Sequence, residues 1–373
     1  MRATSELGDL RAARRHLEIC VRSGLATADP ATDESLRGLR HSRGFDALLA
    51  TYRRFQRPAT DFEPIRTLSD AGLIAEDIAF DARADSWLIS SVRERKIVRI
   101  GAQDGDADAW RSVGADVWGV FALALDSERQ RVWATTSAGA ESPPFSEAER
   151  GRSAVLELDA RSFEVLARYE LGDARPHGFG DVALGPGGQL VVSDGIDGGV
   201  YVTEALPQPH LRSLVAPGAF RSPQTPALIP GTGRLLVPDY SRGIAIVDPA
   251  GGAPRWLAHP PELALYGIDG MYLKGRTLVA IQNGTDPERV LVLRLDASCS
   301  AVETWRVAVA RAEGLGDPTH GVFVGEDFQF LANSGWDRVG DDGTLRSSAT
   351  DRPPSIWRLK LRPGERTAAC RIR

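Results

Sequence analysis

The chain has 373 residues, 42% hydrophobic and 25% charged, with a formal charge of −5 at pH 7. These values are ordinary for a soluble globular protein, and with no basic stripe a nucleic-acid partner is not expected. No run of about 18 apolar residues exists, so no membrane span is expected, while 38 glycines and 23 prolines suggest many tight turns and short strands.

The first segment, residues 1–58, reads as helical. Leu10, Ala13, Leu17, Cys20 and Val21 recur at helical spacing with arginines opposite, and Leu36, Leu39, Phe45, Leu48, Leu49 and Tyr52 repeat the pattern. The first of these helices resembles the second helix of a tetratricopeptide repeat. A single repeat cannot bury its own face, so the segment is expected to pack on the main domain as a cap. The start, MRATSELGDL, has no apolar signal-peptide core. As written the chain reads as cytoplasmic; a signal upstream of this start would make it secreted or periplasmic. Cys20, Cys299 and Cys370 are odd in number, far apart and in no metal spacing, so neither a disulfide nor a zinc framework is expected.

Beyond the linker FQRPATDFEP the pattern turns to β. Strand, tight turn and strand recur in six units, over residues 76–100, 119–137, 180–205, 224–252, 268–284 and 320–336. Their starts are spaced by roughly 43 to 61 residues, as four-stranded propeller blades require. The turns DARAD, DSERQ, GPGG, PGTG, LKGR and VGED fall at one place in each unit. The fold class is therefore all-β, a six-bladed β-propeller over 62–362 with a short α-helical N-terminal extension and a tail at 363–373. The last unit runs out of chain after residues 355–361, so the stretch near 64–70 is expected to supply its fourth strand and close the ring.

In a propeller the first strand of each unit is innermost and starts near the central channel. The residues heading these strands are Glu76-Asp77, Gly119, Gly180-Asp181, Gln224, Asp269 and Thr319-His320. Carboxylates that converge there repel one another unless a cation sits among them. Oxygen donors suit a hard divalent cation, calcium first, with magnesium, manganese or zinc as alternatives. Glu76, Asp181, Gln224 and Asp269 are the candidate ligands, and Asp269 and His320 the candidate catalytic bases. The bland reading is a turn cap for Asp77 or Asp181 alone, and a funnel-lining polar residue for His177 and His320. The triplets SDG (193–195) and PDY (238–240) read as turn devices, and the isolated Trp336-Asp337 pair is no repeat signature. Serine-hydrolase elbows, phosphate loops and H-E-x-x-H are absent.

The stretches AEDIAFDARADSWLISSVRERKIVRI, LVPDYSRGIAIVDPAGG and YGIDGMY…LVAIQNG make residues 62–362 similar to the SMP-30/gluconolactonase/LRE-like family of six-bladed propellers. The resemblance implies one divalent metal in the channel and hydrolysis of lactones or related esters and phosphoesters. It implies Glu76 and Asp269 as ligands. The middle-blade Asn ligands that it also implies read Gly180, next to Asp181, and Gln224 here.

Two functions follow as expectations. One is a metal-dependent hydrolase acting on a lactone or related ester in the channel, with metal-activated water attacking a polarised carbonyl and specificity set by loops 138–153 and 335–353. The other is a non-catalytic propeller with a degenerate metal site, binding a ligand in the channel or a protein partner through the helical segment. A lyase or a strictosidine-synthase-like condensation on the same fold stays open.

Overall fold

A computed structural model describes residues 9–102, 107–111, 117–185, 188–203, 210–348, 351–365 and 369–370. The first eight residues of the helical segment, the middle of the GPGG turn, two residues of the 335–353 loop and most of the 363–373 tail lie outside them.

Six antiparallel sheets form a six-bladed β-propeller. From inside outward, blade 1 is Ala75–Asp81, Ser86–Ser91, Lys96–Gly101 and Ala107–Arg111, and blade 2 is Gly119–Asp126, Arg131–Ser137, Ser153–Asp159 and Val165–Tyr169. Blade 3 begins with Phe179–Leu184 and Leu190–Asp194, and blade 4 with Ala227–Leu228 and Leu235–Asp239. Blade 5 runs Ile268–Lys274, Thr277–Gln282, Arg289–Leu295 and Val302–Ala310, and blade 6 runs Gly321–Val324, Asp327–Ala332 and Ser355–Lys360.

The core lies between blades, because each sheet is apolar on both faces. Leu88 of blade 1 packs with Val120, Val132 and Leu156 of blade 2, and Phe179 and Val192 of blade 3 meet Trp133 and Val155. Across the seam, Trp87 and Ile89 of blade 1 join Leu331 and Ile356 of blade 6. Each such large side chain contributes about 1.5–3 kcal/mol on burial.

The fourth strand of blade 6 is Phe62–Thr67, paired antiparallel from Phe62↔Leu359 to Thr67↔Ser355. Phe62 stacks on Trp357 with ring centroids 4.1 Å apart. An N-terminal strand thus covers the edge that the last blade would otherwise expose. Just before it, Ala59–Thr60 adds a fifth strand to blade 5, pairing with Val309 and Ala310.

The N-terminal segment consists, among the described residues, of helices α1 (Leu10–Ser23) and α2 (Phe45–Phe55) with a 3-10 turn between them. Asp9 caps α1 by accepting from the Ala12 amide at 2.9 Å. Leu17, Val21, Leu36, Leu48 and Tyr52 form a separate small core, while Leu10 is exposed. Two arginines tie the segment to the ring. Arg289 Nη1 donates to Ser23 O at 2.5 Å, and Arg311 Nε to Phe55 O at 3.1 Å.

The cysteines correct the sequence expectation. Cys299 and Cys370, 71 residues apart, are disulfide-bonded with Cα atoms 5.8 Å apart, and Cys20 is free. Spacing along the chain does not reveal that the tail returns to blade 5. No described helix is long and apolar enough to cross a membrane.

Candidate active site

Four of the six inner strands share an irregularity near their starts, which in blades 1 and 5 accounts for the polar residues there. The ladder slips between Ala75 and Ile78, Val120 and Leu123, Phe179 and Asp181, and Ile268 and Met271. A bulge releases a residue from strict alternation and re-aims its side chain, and here the bulges carry Glu76, Asp77 and Asp269. Gly270 follows Asp269 because a Cβ there would stand 2.6 Å from Thr319 O. The backbone of blade 6 therefore runs against blade 5 at the point where both reach the channel.

Three sequence-predicted residues meet. Glu76, Asp269 and His320 place ligand atoms within 4.8 Å of one another. Asp181 joins them through His320, whose Nε2 lies 2.8 Å from Asp181 Oδ1 while Nδ1 lies 2.9 Å from Glu76 O. Both ring nitrogens thus face oxygen atoms, an arrangement that suits the doubly protonated imidazolium. Burial opposes that charge, but Asp77, the hydrogen bond to Asp181 and Asp269 outweigh it and hold the His320 pKa well above its ordinary value. With neither nitrogen free, His320 is arranged as a fixed cation rather than as a base.

The carboxylates are differently held. Burial and then the charge of Asp269 push Glu76 up to about 8. Burial pushes Asp269 up to about 6, with Asp181 adding to it and His320 opposing. Asp77, also raised by burial to about 6, accepts from the amides of Ile78 and Leu123 at 2.7 Å each, so it links blades 1 and 2. Gln224 turns its amide nitrogen to Ser222 Oγ at 2.8 Å.

Several contributors were not found in the sequence. Trp336 donates its indole N–H to Glu76 Oε2, so the isolated tryptophan of the WD pair is a channel residue. Asn283 donates to Asp269 Oδ2 at 2.7 Å and accepts from Tyr240 OH at 3.0 Å. Thr225 Oγ1 lies 2.6 Å from Asp181 Oδ1 and 3.1 Å from Asp269 O. Asn283, inside the quoted stretch LVAIQNG, and Thr225, directly after Gln224, lie beside residues that the sequence singles out.

His177 sits apart from this cluster. Its Nδ1 lies 2.6 Å from Asp194 Oδ2 and its Nε2 2.8 Å from Asp173 Oδ1. Asp194 also accepts from the amides of Gly178, Ile196 and Asp197. This fully bonded network organises the SDG turn of blade 3.

Solved structures agree on the fold. The chain is similar to a luciferin-regenerating enzyme, with a TM-score of 0.55 and 12% identity over 83% of this chain and 99% of that one. It is similar to a catalytically inactive variant of virginiamycin B lyase from Staphylococcus aureus with quinupristin, with a TM-score of 0.53 and 12% identity over 80% and 99%. It is also similar to the PQQ-bound aldose sugar dehydrogenase of Streptomyces coelicolor, with a TM-score of 0.53 and 13% identity over 80% and 98%. At such identities the likeness shows the propeller fold alone. No family model matches the chain, and no curated protein matches it.

Proposed function

We propose that the channel is the active site of a hydrolase that uses one divalent cation, calcium in first place, and acts on a lactone or related ester. The observation that carries this reading is the imbalance of charge: Glu76, Asp77, Asp181 and Asp269 converge on a single imidazolium, His320. Three of these carboxyls are pushed upward, chiefly by burial and further by neighbouring carboxylates, while His320 opposes the shift. Glu76 and Asp269 offer carboxylate oxygens within 4.8 Å of one another, a donor pair that suits a hard cation, and Asp181 stands behind them as a further candidate ligand bonded to His320. The resemblance to the SMP-30/gluconolactonase/LRE-like family supports the same two ligands, Glu76 and Asp269. Such a cation, when bound, polarises a carbonyl oxygen and lowers the pKa of water.

The chain's own residues have separable tasks. Trp336 and Asn283 orient the carboxylates of Glu76 and Asp269. His320 fixes Asp181 and offsets part of the negative charge. Asp269 is held through Oδ2 by Asn283, so in this reading Oδ1 takes the proton from water. The test is hydrolysis of a panel of γ- and δ-lactones and aryl esters by chelator-stripped protein, with and without added calcium or manganese. Cation-dependent turnover that disappears in Asp269→Asn supports the reading; no turnover with any cation opposes it.

A second reading, a non-catalytic binding propeller, is favoured by Gly180, which stands where the family resemblance implies an amide ligand. A Cβ at Gly180 would meet nothing within 4 Å, so Gly180→Asn adds its first side-chain atom without a clash. A gain of cation affinity in that variant supports a degenerate site in the natural chain.

A further inference from the structure

Outside the channel, a cleft of about 600 Å³ opens between the helical segment and the outer strands of blade 5. Six arginines and two glutamates line it. Arg14 is neutralised by Glu18 at 2.8 Å, and Arg306 is engaged by Asp61 and Glu365. Arg22, Arg54 and Arg57 remain as rim cations, and the walls between them carry Leu48, Trp305 and Val307. The cleft thus has apolar walls and, with Glu262 also in its lining, an excess of cations.

The inner wall holds a charge with unfinished bonding. Arg289 is 1% exposed and lines the cleft. Its Nε donates to Gln282 Oε1 at 2.7 Å and its Nη1 to Ser23 O at 2.5 Å, but its buried Nη2 has no acceptor among the described residues. Both bonded groups are neutral, so neither supplies a counter-anion to the guanidinium. A buried guanidinium N–H left unpaired costs on the order of the full desolvation of that group. Burial pulls its pKa down to about 10, which still leaves it charged at neutral pH.

We propose that this cleft binds a small amphipathic anion, whose carboxylate or phosphate head accepts from Arg289 while its apolar chain lies along Leu48, Trp305 and Val307. The site joins the helical segment to blade 5, so such a ligand would clamp the N-terminal segment onto the ring. It is independent of the channel chemistry and stands or falls separately from it.

Calorimetry on the full chain tests this with decanoate, decyl phosphate, inorganic phosphate and decyltrimethylammonium as probes. Saturable binding of decanoate or decyl phosphate is expected, with the ammonium analogue at least tenfold weaker; the tighter of the two anions identifies a carboxylate or a phosphate head. Inorganic phosphate is expected to bind more weakly than decyl phosphate because it leaves the apolar wall empty. Arg289→Met should weaken the preferred anion at least tenfold. Should that variant fail to fold, Ala47→Trp, which fills the cleft from the exposed face of α2, should weaken it similarly. No saturable binding of either anion, equal binding of the ammonium probe, or unchanged affinity in folded Arg289→Met would overturn the proposal.

Discussion

The indole N–H of Trp336 donates to Oε2 of Glu76, 260 positions away in the chain. Blade 6 thereby reaches into blade 1 at the channel mouth and fixes one carboxylate of the cluster. Phe121 of blade 2 flanks the same indole, with ring centroids 6.5 Å apart.

Replacing Trp336 by Phe keeps the aromatic volume and removes the donor. Glu76 then loses an interaction that favours its ionised form. Cation affinity at neutral pH should fall by about 10-fold or more, as for other groups that orient metal ligands. Calorimetric titration of Trp336→Phe against the parent checks this, and unchanged affinity would remove Trp336 from the site.

His320 and Asp181 form a buried pair, and breaking one side should cost more than breaking both. His320→Gln leaves Asp181 with Thr225 as its remaining side-chain donor. A destabilisation of about 3–5 kcal/mol is expected, with part of it recovered in His320→Gln/Asp181→Asn. Denaturant unfolding of the four proteins in the cycle measures the coupling; additive losses would mean that the two groups do not interact.

Asp317 provides a pH handle away from the His320 pair. Burial, then Glu288 and Asp269, raise its pKa from 3.8 to about 7. Between those values the folded chain holds a proton that the unfolded chain has released, so stability falls as pH rises through this window. Asp317→Asn should abolish that contribution, raising Tm at pH 8 by about 2–4 °C and leaving it unchanged at pH 3. Equal shifts at both pH values would trace the effect to something other than titration.

The Cys299–Cys370 bond closes a long loop and fastens the tail beside blade 5. Cys370→Ser should lower stability by about 2–4 kcal/mol. Thiol titration after denaturation without reductant gives an independent reading: the intact chain should titrate one thiol, Cys20, and the variant two.

The propeller and much of the channel were legible in the sequence because both follow from repetition. Six units with matching turns imply a ring, and a ring brings the heads of its inner strands together. Glu76, Asp269 and His320 were accessible by that route alone. Trp336 and Asn283 were not, because they come from positions beyond the strand heads, and Thr225, although next to the head Gln224, carries no charge to mark it. Gln224 shows the limit of that route: the ring fixes its position, but the turn of its amide nitrogen onto Ser222 Oγ depends on local bonding. The disulfide stayed hidden for a related reason, since proximity of Cys299 and Cys370 depends on where the tail returns.

The charge imbalance in the channel is best probed by titrating chelator-stripped protein with calcium and manganese, comparing the parent with Asp269→Ala. Micromolar, one-site binding in the parent that vanishes in Asp269→Ala is the expected result. The absence of binding in both proteins, with the channel carboxyls simply protonated, would contradict a cation-dependent site.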